Sequence, residues 1–180
     1  MGKDRENALI ENCKRGDLQA MEQLIIRYEQ PVFNAAYRIL GNPEDAADVT
    51  QAVFLKAIEH LDSYNAKFKF FSWIYRIACN ESVDQLKRRR KLKVVEEPVV
   101  IEAHDPGEEA QISNLCDGVQ GVLMELQDDY RTVIVLRHFS ECSYQEISDI
   151  LEIPVNTVKS RLYSARQLMK EKLQVAGFDL

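Results

Sequence analysis

The sequence predicts an all-α protein made of two small helical domains joined by an acidic linker. Apolar residues recur at three-to-four spacing along almost the whole chain, the period of helices with one buried face. Glycine and proline are scarce, at 7 and 5 of 180 residues, so little interrupts such helices. One stretch collects Glu96, Glu97, Glu102, Asp105, Glu108 and Glu109 around Pro98, Pro106 and Gly107, with no lysine or arginine among them. That composition reads as a linker. The expected domains are residues 1–94 and 112–180, with residues 95–111 between them.

The first helix is expected from about Arg5 to Arg15, where Gly16-Asp17 punctuates the chain. A second, from Asp17 to about Leu40, turns Leu18, Met21, Leu24, Ile25, Tyr28, Val32, Ala36 and Ile39 inward. Pro31 should start a new turn or kink it. Asn42-Pro43-Glu44-Asp45 marks the third start: an N-cap, a proline in the first turn, and two acids at the positive end of the helix dipole. This helix should reach about Leu61, with Ala47, Phe54, Ile58 and Leu61 as its core stripe. Asp48, Gln51, Ala52, Leu55 and Glu59 fall on a different flank. A leucine among polar groups there suits a partner surface, or is one ordinary exposed apolar residue.

The next segment has the least usual local composition. Tyr64, Phe68, Phe70, Phe71, Trp73 and Tyr75 alternate with Lys67, Lys69 and Arg76. Aromatic rings beside cations can hold unstacked bases while neutralising the phosphates between them. The same rings also make a core, and Phe71 and Trp73 are expected there. The helix after Ser72 carries Asn80, Asp84 and Gln85 into a basic run, Lys87, Arg88, Arg89, Arg90, Lys91 and Lys93. Such a run is either a solvated helix end or a phosphate-binding face; the loop and polar helix before it favour nucleic acid.

The C-terminal third reads as a helix-turn-helix. Ser143 and Glu146 form a capping box for a short helix, Tyr144 to Leu151, which Glu152-Ile153-Pro154 ends. A second helix should start near Asn156-Thr157. Val158, Leu162, Ala165 and Met169 would face a core. Thr157, Ser160, Arg161 and Ser164 share one outer flank; Lys159, Tyr163, Arg166 and Lys170 share another. Hydroxyls with one arginine suit base edges, and the cations beside them suit phosphates. A solvated basic helix in an ordinary bundle is the plainer alternative.

The net charge of −6 does not argue against DNA, because basic and acidic residues are segregated. No apolar run approaches the roughly 20 residues that span a bilayer, and the N-terminus lacks a signal-peptide core. Cys13, Cys79, Cys116 and Cys142 have no paired spacing, and His60, His104 and His138 are isolated. A disulfide framework, a metal site, a cofactor site and a nucleophile–base pair are therefore not expected, and a reducing cytoplasm is.

Three segments, in order, resemble the extracytoplasmic-function (ECF) sigma factors of the sigma-70 family. NPEDAADVTQAVFLKA at Asn42–Ala57 is similar to the family's region 2.2. FFSWIYRIACNESVDQLKRRR at Phe70–Arg90 is similar to regions 2.3 to 2.4, and Leu126–Arg166 to region 4. The resemblance implies a non-catalytic transcription initiation factor that binds RNA polymerase core and promoter DNA. It assigns Asp48, Gln51, Phe54 and Leu55 to the polymerase clamp, where Ala47 and Ala52 stand in place of usual acids. It assigns Tyr64, Lys67, Lys69, Trp73, Arg76, Asn80, Asp84, Lys87 and Arg88 to −10 melting and capture of a flipped base. Asn156, Thr157, Lys159, Ser160, Arg161, Tyr163 and Ser164 would read the −35 element, with Ser164 where relatives commonly have arginine. Asp128, Asp129 and Arg131 would lie near the polymerase flap. An anti-sigma factor is implied as a further partner, and no membrane insertion of the chain itself. A stand-alone helix-turn-helix regulator is the main alternative, but it gives Asp48–Phe54 and the aromatic loop no purpose. A nucleic-acid-processing enzyme would need a carboxylate cluster or nucleophile in the right setting.

Overall fold

The computed structural model describes residues 3–93 and 110–178; among them there is no β-strand. Eight α-helices account for most of these residues: α1 (Lys3–Lys14), α2 (Leu18–Leu40), α3 (Pro43–Glu59), α4 (Phe70–Lys93), α5 (Ala110–Glu125), α6 (Asp128–Ile134), α7 (Tyr144–Leu151) and α8 (Val155–Val175). The protein is all-α, with α1–α4 forming one domain and α5–α8 the other. Of the expected linker, residues 95–109 lie outside the described residues, and the last two positions belong to α5.

Local signals place the helix ends. The Asp17 carboxylate accepts the amides of Gln19 and Ala20 at 2.9 and 3.2 Å, starting α2. Gly41 ends it in the left-handed region (φ 69°), donating its N–H to the Tyr37 carbonyl. Asn42 then caps α3 through the Asp45 amide, with Pro43 in the first turn as expected. Pro31 does not end α2, which continues through it.

The core stripe of α3 differs from the expected one. Ala46, Val49, Val53 and Ala57 are its buried apolar residues, while Ala47 is exposed, Phe54 half-buried and Ile58 42% exposed. Small residues let α3 approach α2 and α4 closely, so the stripe lies one position from the large side chains. Phe54 and Ile58 instead border a narrow apolar cleft with Met21 and Ile25. Leu61 is buried as expected, in a 3₁₀ turn (Leu61–Ser63) beyond the helix.

In the second domain, Ser143 and Glu146 complete the expected capping box. The other boundary is shifted: α8 begins at Val155 with Pro154 at its cap position and no side-chain cap, so Asn156 and Thr157 lie inside the first turn. Val158, Leu162 and Ala165 are buried, and Met169 packs partly exposed against the core. A π-helical turn, Val135–Phe139, joins α6 to the segment before α7.

The two domains pack against each other. α7 lies along α4, and α5, α6 and the π turn lie on α2. Arg131, 2% exposed, bridges them by donating to the carbonyls of Leu123, Met124 and Leu126 and, across the boundary, to Ile39. Arg38 donates to Gln120 and stacks over the Phe139 ring, and Arg90 forks onto Asp128 at 2.6 and 2.8 Å. A consequence is testable by limited proteolysis. Cutting between about Glu96 and Gln111 should leave two stable fragments. They should co-elute in gel filtration at low salt; separate elution would contradict a packed pair.

Candidate nucleic-acid interface

The α3 flank presents Asp48, Gln51 and Leu55 to solvent, Leu55 at 70% exposure. Phe54 is turned further inward and packs on the core. The four residues therefore lie along the middle of α3, three on its open surface and one at the edge of that surface.

The aromatic segment divides between structure and surface. Phe70, at 1% exposure, is the central core ring. Tyr64 is buried beside it in an edge-on contact at 5.4 Å, its hydroxyl donating to the Phe68 carbonyl. Trp73 stacks at a tilt on both, 5.6 Å from Tyr64 and 5.4 Å from Phe70, and keeps a partly open edge. Phe71 is half-buried against Tyr75, and both Phe71 and Trp73 pack against the core, as expected, while remaining partly exposed. Phe68 is half exposed.

Together these residues shape a recess of about 410 Å³, lined by Ser63, Tyr64, Asn65, Phe68, Ser72, Trp73 and Arg76. Aromatic walls with a few hydrogen-bonding groups suit a planar, unstacked base. Ser63, Asn65 and Ser72 were not singled out from the sequence; a polar residue between aromatics was the only available signal. Lys67 stands exposed on the loop, its amide bonded to the Asn65 side chain. Lys69 is exposed at the start of α4.

Further along α4, Asn80, Asp84 and Lys87 line a second cleft of about 310 Å³. Asp129, Thr132, Leu151 and Arg161 close it from the other domain. Arg88 is exposed beyond it. The basic run is not uniformly available: Arg89 is held by Asp45 at 2.7 Å and Arg90 by Asp128.

The second domain covers part of this face. Glu146 accepts from Lys69 at 2.8 Å, and Arg76 donates to Glu152 at 2.8 Å and to the Asp149 carbonyl at 2.6 Å. Asp149 and Glu152 thus complete the wall of the aromatic recess. Burial raises the Glu146 carboxyl, but the Lys69 ammonium and the Ser143 donors outweigh it and hold it at about 2. A carboxyl lowered in this way stabilises the fold above its unfolded value and loses that contribution only as pH falls toward about 2. At neutral pH the contact is fully charged.

On α8, Asn156, Lys159, Ser160 and Tyr163 are exposed, and Thr157, Arg161 and Ser164 half-buried. Arg161 pairs with Asp129 at 2.6 Å, and the Ser160 hydroxyl donates to the Thr157 carbonyl. Asp128 and Asp129 line surface clefts, and Arg131 beside them is buried.

Burial pushes the Cys79 and Cys142 thiols up to about 12, which keeps both protonated. Among the described residues no group of histidine, cysteine and carboxylate side chains is arranged to hold a metal ion. No described helix is long and apolar enough to cross a membrane.

Comparison with known proteins matches the Sigma-70 region 2 profile to residues 24–92 and the Sigma-70 region 4 profile to residues 117–169. The chain is 32% identical over 177 residues to the ECF RNA polymerase sigma factor SigW of Bacillus subtilis (strain 168), covering 92% of this chain and 95% of that protein. It is 32% identical over 181 residues to the ECF RNA polymerase sigma-E factor of Escherichia coli (strain K12), covering 94% of each. Two solved structures share the fold at 24% identity. One is CnrH in complex with the cytosolic domain of CnrY, with a TM-score of 0.73 over 94% of this chain and 97% of that one. The other is the sigma factor RpoE of Bartonella quintana with the anti-sigma factor NepR, with a TM-score of 0.72 over 88% and 99%.

Proposed function

Because this chain belongs to the ECF sigma factors of the sigma-70 family, we propose that it loads RNA polymerase core onto a specific set of promoters through three surfaces. The family is one of transcription initiation factors rather than catalysts, and the proposed action is binding and strand capture in the cytoplasm, with no covalent step. Region 2 is taken as residues 1–94 and region 4 as residues 112–180. Asp48, Gln51, Phe54 and Leu55 grip the polymerase clamp. The aromatic recess and α4, through Tyr64, Lys67, Lys69, Trp73, Arg76, Asn80, Asp84, Lys87 and Arg88, melt the −10 element and hold a flipped base. On α8, Asn156, Thr157, Lys159, Ser160, Arg161, Tyr163 and Ser164 read the −35 element in the major groove.

The observation that carries this reading is the aromatic recess, continuous with a polar and basic helix face. A stand-alone helix-turn-helix regulator has no use for it. Tyr64 contributes a buried wall to that recess rather than a free ring. Control by an anti-sigma factor completes the proposal, supported by a protein of this fold whose structure contains such a partner.

Transcription from genomic fragments with purified core polymerase, followed by start-site mapping, tests the whole reading. Starts that share −10 and −35 motifs only when the protein is added are the expected result. Start sites identical with and without it would overturn the reading. The clamp assignment has its own test. Asp48→Ala with Gln51→Ala removes two exposed side chains, so the fold should be unchanged while affinity for core falls about tenfold, the size of effect of one or two interface contacts. Equal retention of both proteins by immobilised core would remove the assignment.

A further inference from the structure

The cations of the second domain are not neutralised alike. Arg161 pairs with Asp129 and Lys172 with Glu125, whereas Arg137, Lys159, Arg166 and Lys170 make no ion pair among the described residues. Arg166 is tied instead to a neutral ring. Its Nε–H donates to Nε2 of His138 at 3.2 Å, joining α8 to the π-helical turn. An imidazole nitrogen that accepts a hydrogen bond carries no proton, so the ring proton of His138 sits on Nδ1 as a donor. Partial burial and the Arg166 and Arg137 guanidinium groups hold His138 below the ordinary imidazole value, which keeps the ring neutral at pH 7. The contact leaves donors unused. Nη1 and Nη2 of Arg166 and Nδ1 of His138 make no hydrogen bond among the described residues, and both side chains are exposed.

We propose that Arg166 and His138 form a phosphate site, in which the terminal nitrogens of Arg166 and the Nδ1–H of His138 hold one backbone phosphate of duplex DNA beside the bases that α8 reads. The inference rests on the reading of α8 as the −35 helix. Position favours backbone over base. Arg166 follows Lys159 and Tyr163 at helical spacing, so the three share one side of α8. It stands 11 residues after Val155, the first residue of α8, which is about 16 Å along the axis. The major groove is only about 12 Å wide, so with the start of α8 in the groove Arg166 lies at the flanking strand. The neutral partner matters as much as the position. A carboxylate at position 138 would orient the guanidinium equally well, but it would cancel the charge and repel a phosphate. The imidazole orients Arg166 and leaves its charge intact, and a guanidinium already held at Nε has less rotamer freedom to lose on binding.

The test uses the full chain assembled with core polymerase, on a promoter duplex taken from the mapped start sites. Arg166→Ala should weaken binding about tenfold, as expected of one charge-assisted contact, and lower the salt slope by about one counterion. Two substitutions at position 138 separate a phosphate site from a packing contact. His138→Gln keeps a neutral side chain with both an acceptor and a donor, and should bind within about twofold of wild type. His138→Glu keeps the acceptor for Arg166 but adds a negative charge, and should lose about tenfold or more. Equal affinities for these two variants would overturn the proposal, since a contact that only ties α8 to the π turn accepts either. Methylphosphonate groups placed one at a time across the −35 element and its flanks locate the partner. At one position the neutral linkage should weaken the wild type and add nothing to the loss in Arg166→Ala. Additive losses at every position would overturn the proposal, as would a loss by Arg166→Ala in assembly with core, which would give the site to an acidic protein surface. Weaker binding by Lys159→Ala with unchanged binding by Arg166→Ala would overturn this inference alone. Unchanged binding by Lys159→Ala, Arg161→Ala and Arg166→Ala would overturn the −35 reading with it.

Discussion

Arg131→Met should be the most destabilising single change outside the apolar core, costing about 3–4 kcal/mol. The side chain is 2% exposed and donates to four carbonyls, three at the end of α5 and its turn and one at the end of α2. Helix C-termini leave their last carbonyls without intrahelical partners. Arg131 therefore serves as a side-chain cap for one helix in each domain at once. Burial lowers its guanidinium from the ordinary value and Asp128 acts in the opposite direction, at 3.9 Å. Methionine matches the volume but leaves the carbonyls dry, and each unsatisfied group costs about 1–3 kcal/mol before water reaches it. Lysine should recover only part of the loss, because an ammonium cannot fork across acceptors as a planar guanidinium does. In thermal unfolding the methionine variant should melt about 10 °C lower, at the 2–4 °C per kcal/mol typical of a chain this long. A shift under about 2 °C would show that the four bonds contribute little net stability.

Arg131 also shows where legibility in the sequence stops. As a lone arginine after Asp128-Asp129 it carries no local sign of burial. Its decisive acceptor, the Ile39 carbonyl, is 92 residues away. The capping box at Ser143 and Glu146 was legible because both halves lie within one turn. The second role of Glu146, as partner to Lys69, was not, since it depends on how the domains pack. The same distinction explains α3. Its start could be read from Asn42 and Pro43, but its buried stripe could not be read from residue size, because close helix packing selects Ala46 and Ala57 over Phe54 and Ile58. Of the candidate −10 residues, the sequence made the loop and helix recognisable as a group. It did not separate Tyr64, a buried wall, from Lys67, an exposed cation.

Asn80→Ala and Arg161→Ala should both impair initiation, in ways that salt tells apart. Asn80 is exposed on α4 and lines the cleft behind the aromatic recess. An amide reads a base edge and releases no counterion, so its loss should reduce open complexes severalfold while leaving the salt slope of promoter binding unchanged. Arg161 starts from a different state. It is half-buried and paired with Asp129 at 2.6 Å, so the pair must open before the guanidinium reaches DNA. Asp129→Asn should consequently tighten −35 duplex binding, and Arg161→Ala should weaken it. If the guanidinium meets a phosphate, the alanine variant should lose about one counterion from the salt slope, with equal weakening on all promoters. If it meets a guanine, the loss should be about 1–3 kcal/mol, confined to one base pair. Tighter binding by Asp129→Asn together with weaker binding by Arg161→Ala would place α8 on DNA through this residue. Unaltered binding by Arg161→Ala to every promoter would remove it from the interface and leave the exposed Lys159 and Tyr163 to carry the contact.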